Sequence, residues 1–237
     1  MPILEVCTGS LQSVINAVKG GAQRIELCSA LSLDGLTPSL GLIKTVRTLF
    51  PELTIHVLIR VREGDFCYTE EEVKAMETDI KAVLPYTDAI VCGALTTDGD
   101  IDIATTRRLI DACEGKPFTF HRAFDVCRNP LKALDELAAL NCSRVLTSGQ
   151  ATTAEAGIPA LKEYVKHTEG RMTILPGGGV TPLNAKKILT ETGATEIHGS
   201  ASGIAESGRK VWVVGGLIGK QKTPSQIIDG ETGARLR

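Results

Sequence analysis

The sequence lacks the features that mark several large classes of protein. No apolar run approaches the ~18 residues needed to span a bilayer, and the first residues have neither the basic nor the long apolar segment of a signal peptide. No cluster of Lys or Arg exceeds two adjacent residues, and the net charge is −2. Nucleic acid and membranes are therefore not expected partners. We expect a cytoplasmic protein that binds a small molecule or a metal.

The seven cysteines do not form a recognisable framework. Their number is odd, they are widely spaced, and no two of them form a C-x-x-C pair. This pattern argues against structural disulfides and against a zinc knuckle. We expect reduced thiols.

Short apolar runs rich in β-forming residues alternate with amphipathic segments of helical period. The predicted strands are Ile3–Cys7, Arg24–Cys28, Thr54–Ile59, Ala89–Cys92, Pro117–Phe120, Arg144–Thr147, Met172–Leu175 and Glu196–His198. The predicted helices are Ser10–Lys19, Ser39–Phe50, Glu70–Leu84, Asp102–Cys113, Pro130–Leu140, Ala154–His167 and Thr181–Thr192. Eight strands alternating with helices in 237 residues predict an α/β protein, a single TIM-type (β/α)₈ barrel. An open, doubly wound sheet is the alternative.

The C-terminal end departs from this repeat. After His198 the sequence continues with a glycine-rich run and then a polar tail, in which no clear helix follows. We assign residues 1–203 to the barrel and 204–237 to an irregular extension of the same domain, partly disordered. The eighth helix is expected to be missing or irregular.

Two neighbouring strands repeat the same pair of side chains. Glu5-x-Cys7 and Glu26-x-Cys28 each place a carboxylate and a thiol on one face, because residues two apart in a strand share a face. Adjacent strands lie ~4.8 Å apart, so these four side chains could line one wall. Buried free cysteines are also common as small core residues, and that interpretation stays open for Cys7 and Cys28.

Further charged groups lie where strands end, at the mouth of the predicted barrel. A charge that faces the interior must be paired or solvated, so these groups form either a site or a structural network. His56, early in its strand, fits a core position better. The candidate catalytic residues are Glu5, Glu26, Arg60, Arg62, His121, Arg122, Asp125 and His198.

The segments after the last three strands are rich in small residues. Three glycines, Gly177, Gly178 and Gly179, precede a predicted helix, and Ser148 and Ser200 follow the sixth and eighth strands. Loops at these places in barrels often bind phosphate. We therefore predict an anion or phosphate site at these five residues; the glycines could equally serve only a tight turn.

Several ordered motifs resemble the CutC family of copper homeostasis proteins over residues 3–202. The motifs are Glu-Val-Cys at 5–7, Gly-Gly-Ala-x-Arg-Ile-Glu-Leu-Cys-Ser-Ala-Leu-Ser at 20–32, Gly-Leu-Thr-Pro-Ser at 35–39, Arg-x-Arg-x-Gly-Asp-Phe at 60–66, Thr-Phe-His-Arg-Ala-Phe-Asp at 119–125, Leu-Thr-Ser-Gly at 146–149 and Pro-Gly-Gly-Gly-Val-Thr at 176–181. Val61 and Glu63 depart from the family pattern.

The resemblance implies a TIM-type barrel that self-associates as a dimer or tetramer, and a role in copper homeostasis. It places copper at Cys7 and Cys28, and two thiolates favour Cu(I) over Cu(II).

Two alternatives remain. The first is an enzyme (a lyase, isomerase or hydrolase) that acts on a small anionic or phosphorylated metabolite. In it Glu5 or Glu26 is the general base, His121 is an acid or base, and the arginines bind the anion. The second, a scaffold for a partner protein, has little support in the sequence.

Overall fold

The computed structural model describes residues 2–202 and contains eight strands. They are β1 (Ile3–Thr8), β2 (Arg24–Leu27), β3 (Thr54–Leu58), β4 (Ala89–Cys92), β5 (Phe118–Phe120), β6 (Arg144–Thr147), β7 (Thr173–Pro176) and β8 (Glu196–Gly199). All pairs of neighbouring strands are parallel, in the order β7-β6-β5-β4-β3-β2-β1-β8. β7 and β8, the first and last strands in this order, also meet: a Cβ built on Gly177, directly after β7, would lie 3.2 Å from the Cβ of His198 on β8. The predicted barrel is confirmed.

Seven α-helices follow the first seven strands. They are α1 (Leu11–Lys19), α2 (Leu40–Leu49), α3 (Glu70–Val83), α4 (Ile103–Ala112), α5 (Pro130–Ala139), α6 (Ile158–Thr168) and α7 (Ala185–Thr192). The expectation that the eighth helix is missing or irregular concerns the extension 204–237, which lies outside the described residues. Within the described part, no helix is long and apolar enough to cross a membrane.

Side-chain caps fix where most helices begin. The hydroxyl oxygens of Ser10, Ser39 and Thr69 accept hydrogen bonds from backbone N–H groups in the first turns of α1, α2 and α3. Asp102 and Asn129 cap α4 and α5 in the same way. Because each cap closes a βα connection, it also sets the length of a loop at the mouth of the barrel.

Two predicted helices begin later than the sequence pattern indicated. The segment predicted as helix from Ala154 becomes helical only at Ile158, and the segment predicted from Thr181 only at Ala185. Turns occupy the intervening residues. Because proline has no backbone N–H, it is tolerated in the first turn of a helix or before it but not in the interior. Pro159 lies in the first turn of α6, and Pro182 lies before α7.

Apolar side chains fill the layer between the strands and the helices. The space that the strands enclose holds several buried charged side chains. Arg24 and Arg144 both form ion pairs with Glu196 at the N-terminal end of the barrel. Arg24 and Glu196 are almost fully buried there. The barrel interior is therefore held by compensated charges, and its mouth lies at the opposite end.

Gly157 provides a test of how tightly the loop after β6 is packed. A Cβ at this position would overlap the carbonyl oxygen of Ser148, a backbone atom that has little freedom to move. We expect Gly157→Ala to lower the free energy of unfolding by at least about 1–3 kcal/mol in urea denaturation. The matched control is Gly41→Ala, where the nearest atom, Ser39 Oγ, is 4.0 Å away. The control should be neutral or stabilising by up to about 1 kcal/mol; equal losses in the two variants would contradict the packing.

Candidate metal centre

A cavity of about 530 Å³ opens at the C-terminal ends of the strands. Of the sequence-predicted site residues, those that line it are Cys7, Glu26, Cys28, Arg60, His121, Arg122, Asp125, Gly178, Gly179, His198 and Ser200. They come from six strands or the segments directly after them. The C-terminal mouth is where TIM-type barrels carry their binding sites.

Two thiols lie side by side on one side of the cavity. Cys7 on β1 and Cys28 at the end of β2 place their Sγ atoms 3.5 Å apart. The register pairs Cys7 with Glu26, whose Oε2 lies 3.6 Å from the Sγ of Cys28. The sequence expectation that the two Glu-x-Cys pairs share one wall is met for three of the four side chains.

His198 on β8 completes this group from the other neighbour of β1. One potential ligand atom each from Cys7, Glu26 and His198 lies within 4.8 Å of the other two, and all three residues are buried. Together with Cys28 we call them the thiol wall. Two sulfurs, an imidazole and a carboxylate in such proximity are suited to a metal ion.

Glu5, the fourth member of the repeated pairs, lies below the cavity in the centre of the barrel. Its Oε1 is 2.9 Å from Nδ1 of His198, and its Oε2 is 2.9 Å from Nε of Arg24 and 2.8 Å from Nδ1 of His56. This contact orients the ring of His198, so that Nε2 faces Glu26 at 3.8 Å. His56 is thus a buried partner of Glu5, in agreement with its assignment to the core.

The environment separates the pKa values of the two thiols. The hydrogen bond with Cys28 is the main cause that lowers the pKa of Cys7 to about 5; burial opposes this shift, and His198 adds to it. The same hydrogen bond, together with burial, raises the pKa of Cys28. At neutral pH the pair therefore consists of one thiolate and one thiol.

The two carboxylates also differ. Burial raises the pKa of Glu26, and the charge of Cys7 adds to this shift. Burial alone would raise the pKa of Glu5 as well, but hydrogen bonds with His198 and His56 outweigh it and lower that pKa. Burial disfavours protonation of His198, yet its hydrogen bonds to Cys7 and Glu5 raise its pKa overall. The imidazolium of His198 therefore lies between two anions, the thiolate of Cys7 and the carboxylate of Glu5.

Basic groups line the opposite side of the cavity. Arg60 lies just after β3, and His121 and Arg122 lie just after β5. A Cβ on Gly178 would lie 3.5 Å from Cζ of Arg122, an ordinary contact distance, so this guanidinium lies against the loop after β7. We call Arg60, His121, Arg122 and Gly178 the basic wall.

Four of the predicted site residues do not line the cavity. Besides Glu5, these are Arg62, which forms ion pairs with Asp65 and Glu72, and Gly177, which packs against Leu146 and His198. The fourth, Ser148, hydrogen-bonds to Asp125 through both its hydroxyl and its backbone N–H. The role of Ser148 is to fix a carboxylate that does reach the cavity.

The sequence interpretation missed Arg24 and Phe66. Arg24 precedes Glu26 by two residues, so its position on the same face was available as a signal. Phe66, which lines the cavity, belongs to a connection without regular structure, and no periodicity indicates where its ring lies.

The model of the CutC family matches residues 2–203. The chain belongs to the CutC family. The CutC family protein of Parabacteroides distasonis is 49% identical over 206 residues, which cover 86% of this CutC chain and 85% of that protein. The human copper homeostasis protein cutC homolog is 44% identical over 209 residues, covering 88% of this chain and 76% of that one. The predicted family is confirmed.

Solved structures agree with the barrel. The crystal structure of CutC from Streptococcus agalactiae superposes with a TM-score of 0.81 at 35% identity, covering 84% of this CutC chain and 99% of that one. An aldolase structure matches with a TM-score of 0.63 at 12% identity, over 83% of this chain and 89% of that one. The second likeness concerns the fold alone.

The unequal thiol pair predicts how Cys7 reacts. In metal-free protein, alkylation of Cys7 by iodoacetamide should rise with pH around a midpoint of about 5, because the thiolate is the nucleophile. In Cys28→Ala the midpoint should rise, since the hydrogen bond that does most to stabilise the Cys7 thiolate is removed. Peptide mass spectrometry after timed alkylation measures both, with Cys92, whose pKa is raised by burial, as an unreactive internal control. A midpoint for Cys7 above pH 8 would contradict this charge distribution.

Proposed function

We propose that this CutC protein binds Cu(I) as its cargo through Cys7, Cys28 and His198. One observation carries the proposal: two thiols from adjacent strands lie 3.5 Å apart at the base of a cavity, beside a buried imidazole. Thiolates are the ligands that Cu(I) prefers, and imidazole also binds copper. The carboxyl group of Glu26, a harder oxygen donor, is a weaker candidate for this ion.

The protonation states of the site favour capture of a cation. Cys7 is a thiolate at neutral pH, so one ligand is ready without loss of a proton. Cys28 and His198 must each release a proton before they bind, because only the thiolate and the neutral imidazole are ligands. Copper binding would therefore be coupled to proton release.

Glu5 is the natural orienting group for the proposed site. A metal-bound histidine usually directs its other ring nitrogen to a carboxylate, which fixes the ring and raises its basicity. The Nδ1 of His198 lies 2.9 Å from Glu5, and Nε2 is left for the ion. Burial of the four thiol-wall residues would shield bound Cu(I) from solvent and oxidants.

Copper binding is tested by anaerobic competition with a calibrated chromogenic Cu(I) chelator. The wild type should bind one equivalent of Cu(I) tightly. The double variant Cys7→Ser/Cys28→Ser should bind at least ~100-fold more weakly, because loss of even a residue that only orients a metal ligand can cost that much affinity. Cys67→Ser is the control, because this partly exposed thiol does not line the cavity. Tight binding that survives in the double variant would overturn the proposal.

Other parts of the sequence-based hypothesis stay predictions. A cytoplasmic location and a dimer or tetramer are among them. The enzymatic alternative is favoured by one observation, the cavity volume of about 530 Å³, which far exceeds the space that one ion needs and is in the range of small-molecule sites.

A further inference from the structure

The basic wall contains a buried cation that no acid neutralises. Arg60 is 4% exposed, and its guanidinium donates hydrogen bonds to backbone carbonyls, from Nη1 to Leu33 and Gly35 and from Nη2 to Gly64. Tyr68 is a neutral polar neighbour of the guanidinium. Nε itself makes no well-formed hydrogen bond, and no carboxylate of residues 2–202 forms an ion pair with Arg60. A buried charge in this state is costly unless something else compensates it.

His121 adds a second buried donor without a partner. Its Nδ1 accepts a hydrogen bond from the backbone N–H of Ala123 at 3.3 Å, so in the neutral ring the proton lies on Nε2. Burial, assisted by the charge of Arg60, lowers the pKa of His121 to about 3, so the neutral ring persists at neutral pH. Nε2 is buried with no hydrogen-bond partner, although the residue lines the cavity.

The ring of Phe66 connects these two donors. Cζ of Arg60 lies 5.1 Å from the centre of this ring, and the ring of His121 lies 5.0 Å away from it. Both side chains are thus held by packing and do not depend on a bound ligand for their positions. Donors that are fixed in advance lose little entropy when a ligand binds.

The far end of the basic wall offers further donors, here on a half-exposed side chain and on the backbone. Arg122 donates from Nε to Asp125 at 2.7 Å and from Nη2 to Ser148 at 3.4 Å. Its Nη1, next to Gly178, donates to no acceptor of the described residues. Within the described chain, the backbone N–H groups of Gly178 and Gly179 donate to no protein acceptor. Such N–H groups and guanidinium groups bind anionic oxygens.

Three acidic residues also line the cavity, and they have to be weighed against an anion. Asp125 is neutralised by Arg122 and by hydrogen bonds from Thr147 and Ser148. Burial raises the pKa of Glu26. Asp34 is exposed at the rim. None of the three pairs with Arg60, so the charge beside His121 remains available.

We propose that the cavity binds a small organic anion whose carboxylate or phosphate oxygens accept hydrogen bonds from Nε of Arg60 and Nε2 of His121. Arg122 and the Gly178–Gly179 backbone form the other side of this site. The cavity is large enough for a small metabolite, and a phosphate or carboxylate satisfies donors that the protein leaves unpaired. The inference concerns binding only, and it depends neither on copper nor on catalysis.

Isothermal titration of the copper-free protein tests this site, with inorganic phosphate and oxalate as separate probes. Saturable binding of at least one probe is expected. His121→Phe keeps an aromatic ring against Phe66 but removes the donor, and Arg60→Met keeps the length of the side chain but removes the charge. Each substitution should weaken binding about tenfold or more, as loss of a hydrogen bond to a charged group does.

Arg171→Gln is the matched control, since it removes a charge from the opposite end of the barrel, where Arg171 pairs with Asp135. Its affinity for the probe should equal that of the wild type. If Arg60→Met does not fold, His121→Phe alone decides. Binding of neither probe, or binding that is indifferent to His121, would overturn the proposal. Because copper is absent from the titration, its failure would be separate from any failure to bind Cu(I).

Discussion

The carboxylate of Glu5 at the centre of the barrel is the group on which the mouth depends. It is buried, and it is contacted by side chains from three strands, Arg24 on β2, His56 on β3 and His198 on β8. Loss of one partner from such a group costs about 3–5 kcal/mol, because a buried charge is left uncompensated. The network makes β8, β1, β2 and β3 one rigid unit, and it determines where the ring of His198 lies.

The cavity above this rigid unit has two chemically different sides. The thiol wall rises from β1, β2 and β8, directly above Glu5, and it combines a thiolate with an imidazolium. The basic wall is built mainly from the ends of β3, β5 and β7, where Arg60 and His121 are held by Phe66 and not by an acid. Soft-metal chemistry fits the first side and anion recognition fits the second, so one mouth can serve both ligands.

Much of this structure could be predicted from the sequence. The alternation of strands and helices led to the barrel, and the period of two within strands led to Cys7, Glu26 and Cys28 on one wall. It also predicted Glu5 on that wall, whereas the structure places this carboxylate one layer deeper, where Arg24 lies opposite it in the register. Periodicity tells which face a side chain occupies, but its depth in a barrel depends on the stagger of the strands.

The loops were harder to predict, for a physical reason. Arg62 and Arg60 are two residues apart after β3 and look equivalent in sequence, yet Arg62 turns outwards to Glu72 while Arg60 turns inwards to carbonyl groups of the neighbouring loop. Outside regular structure no repeat fixes the direction of a side chain. Contacts between segments distant in sequence decide it, and such contacts are visible only in the folded chain.

The most direct test of the account is X-ray absorption at the copper edge on the Cu(I)-loaded protein, prepared without oxygen. The thiol wall predicts a first shell of two sulfur scatterers and one imidazole nitrogen, from Cys7, Cys28 and His198. A first shell made only of nitrogen and oxygen would contradict the assignment of copper to this wall.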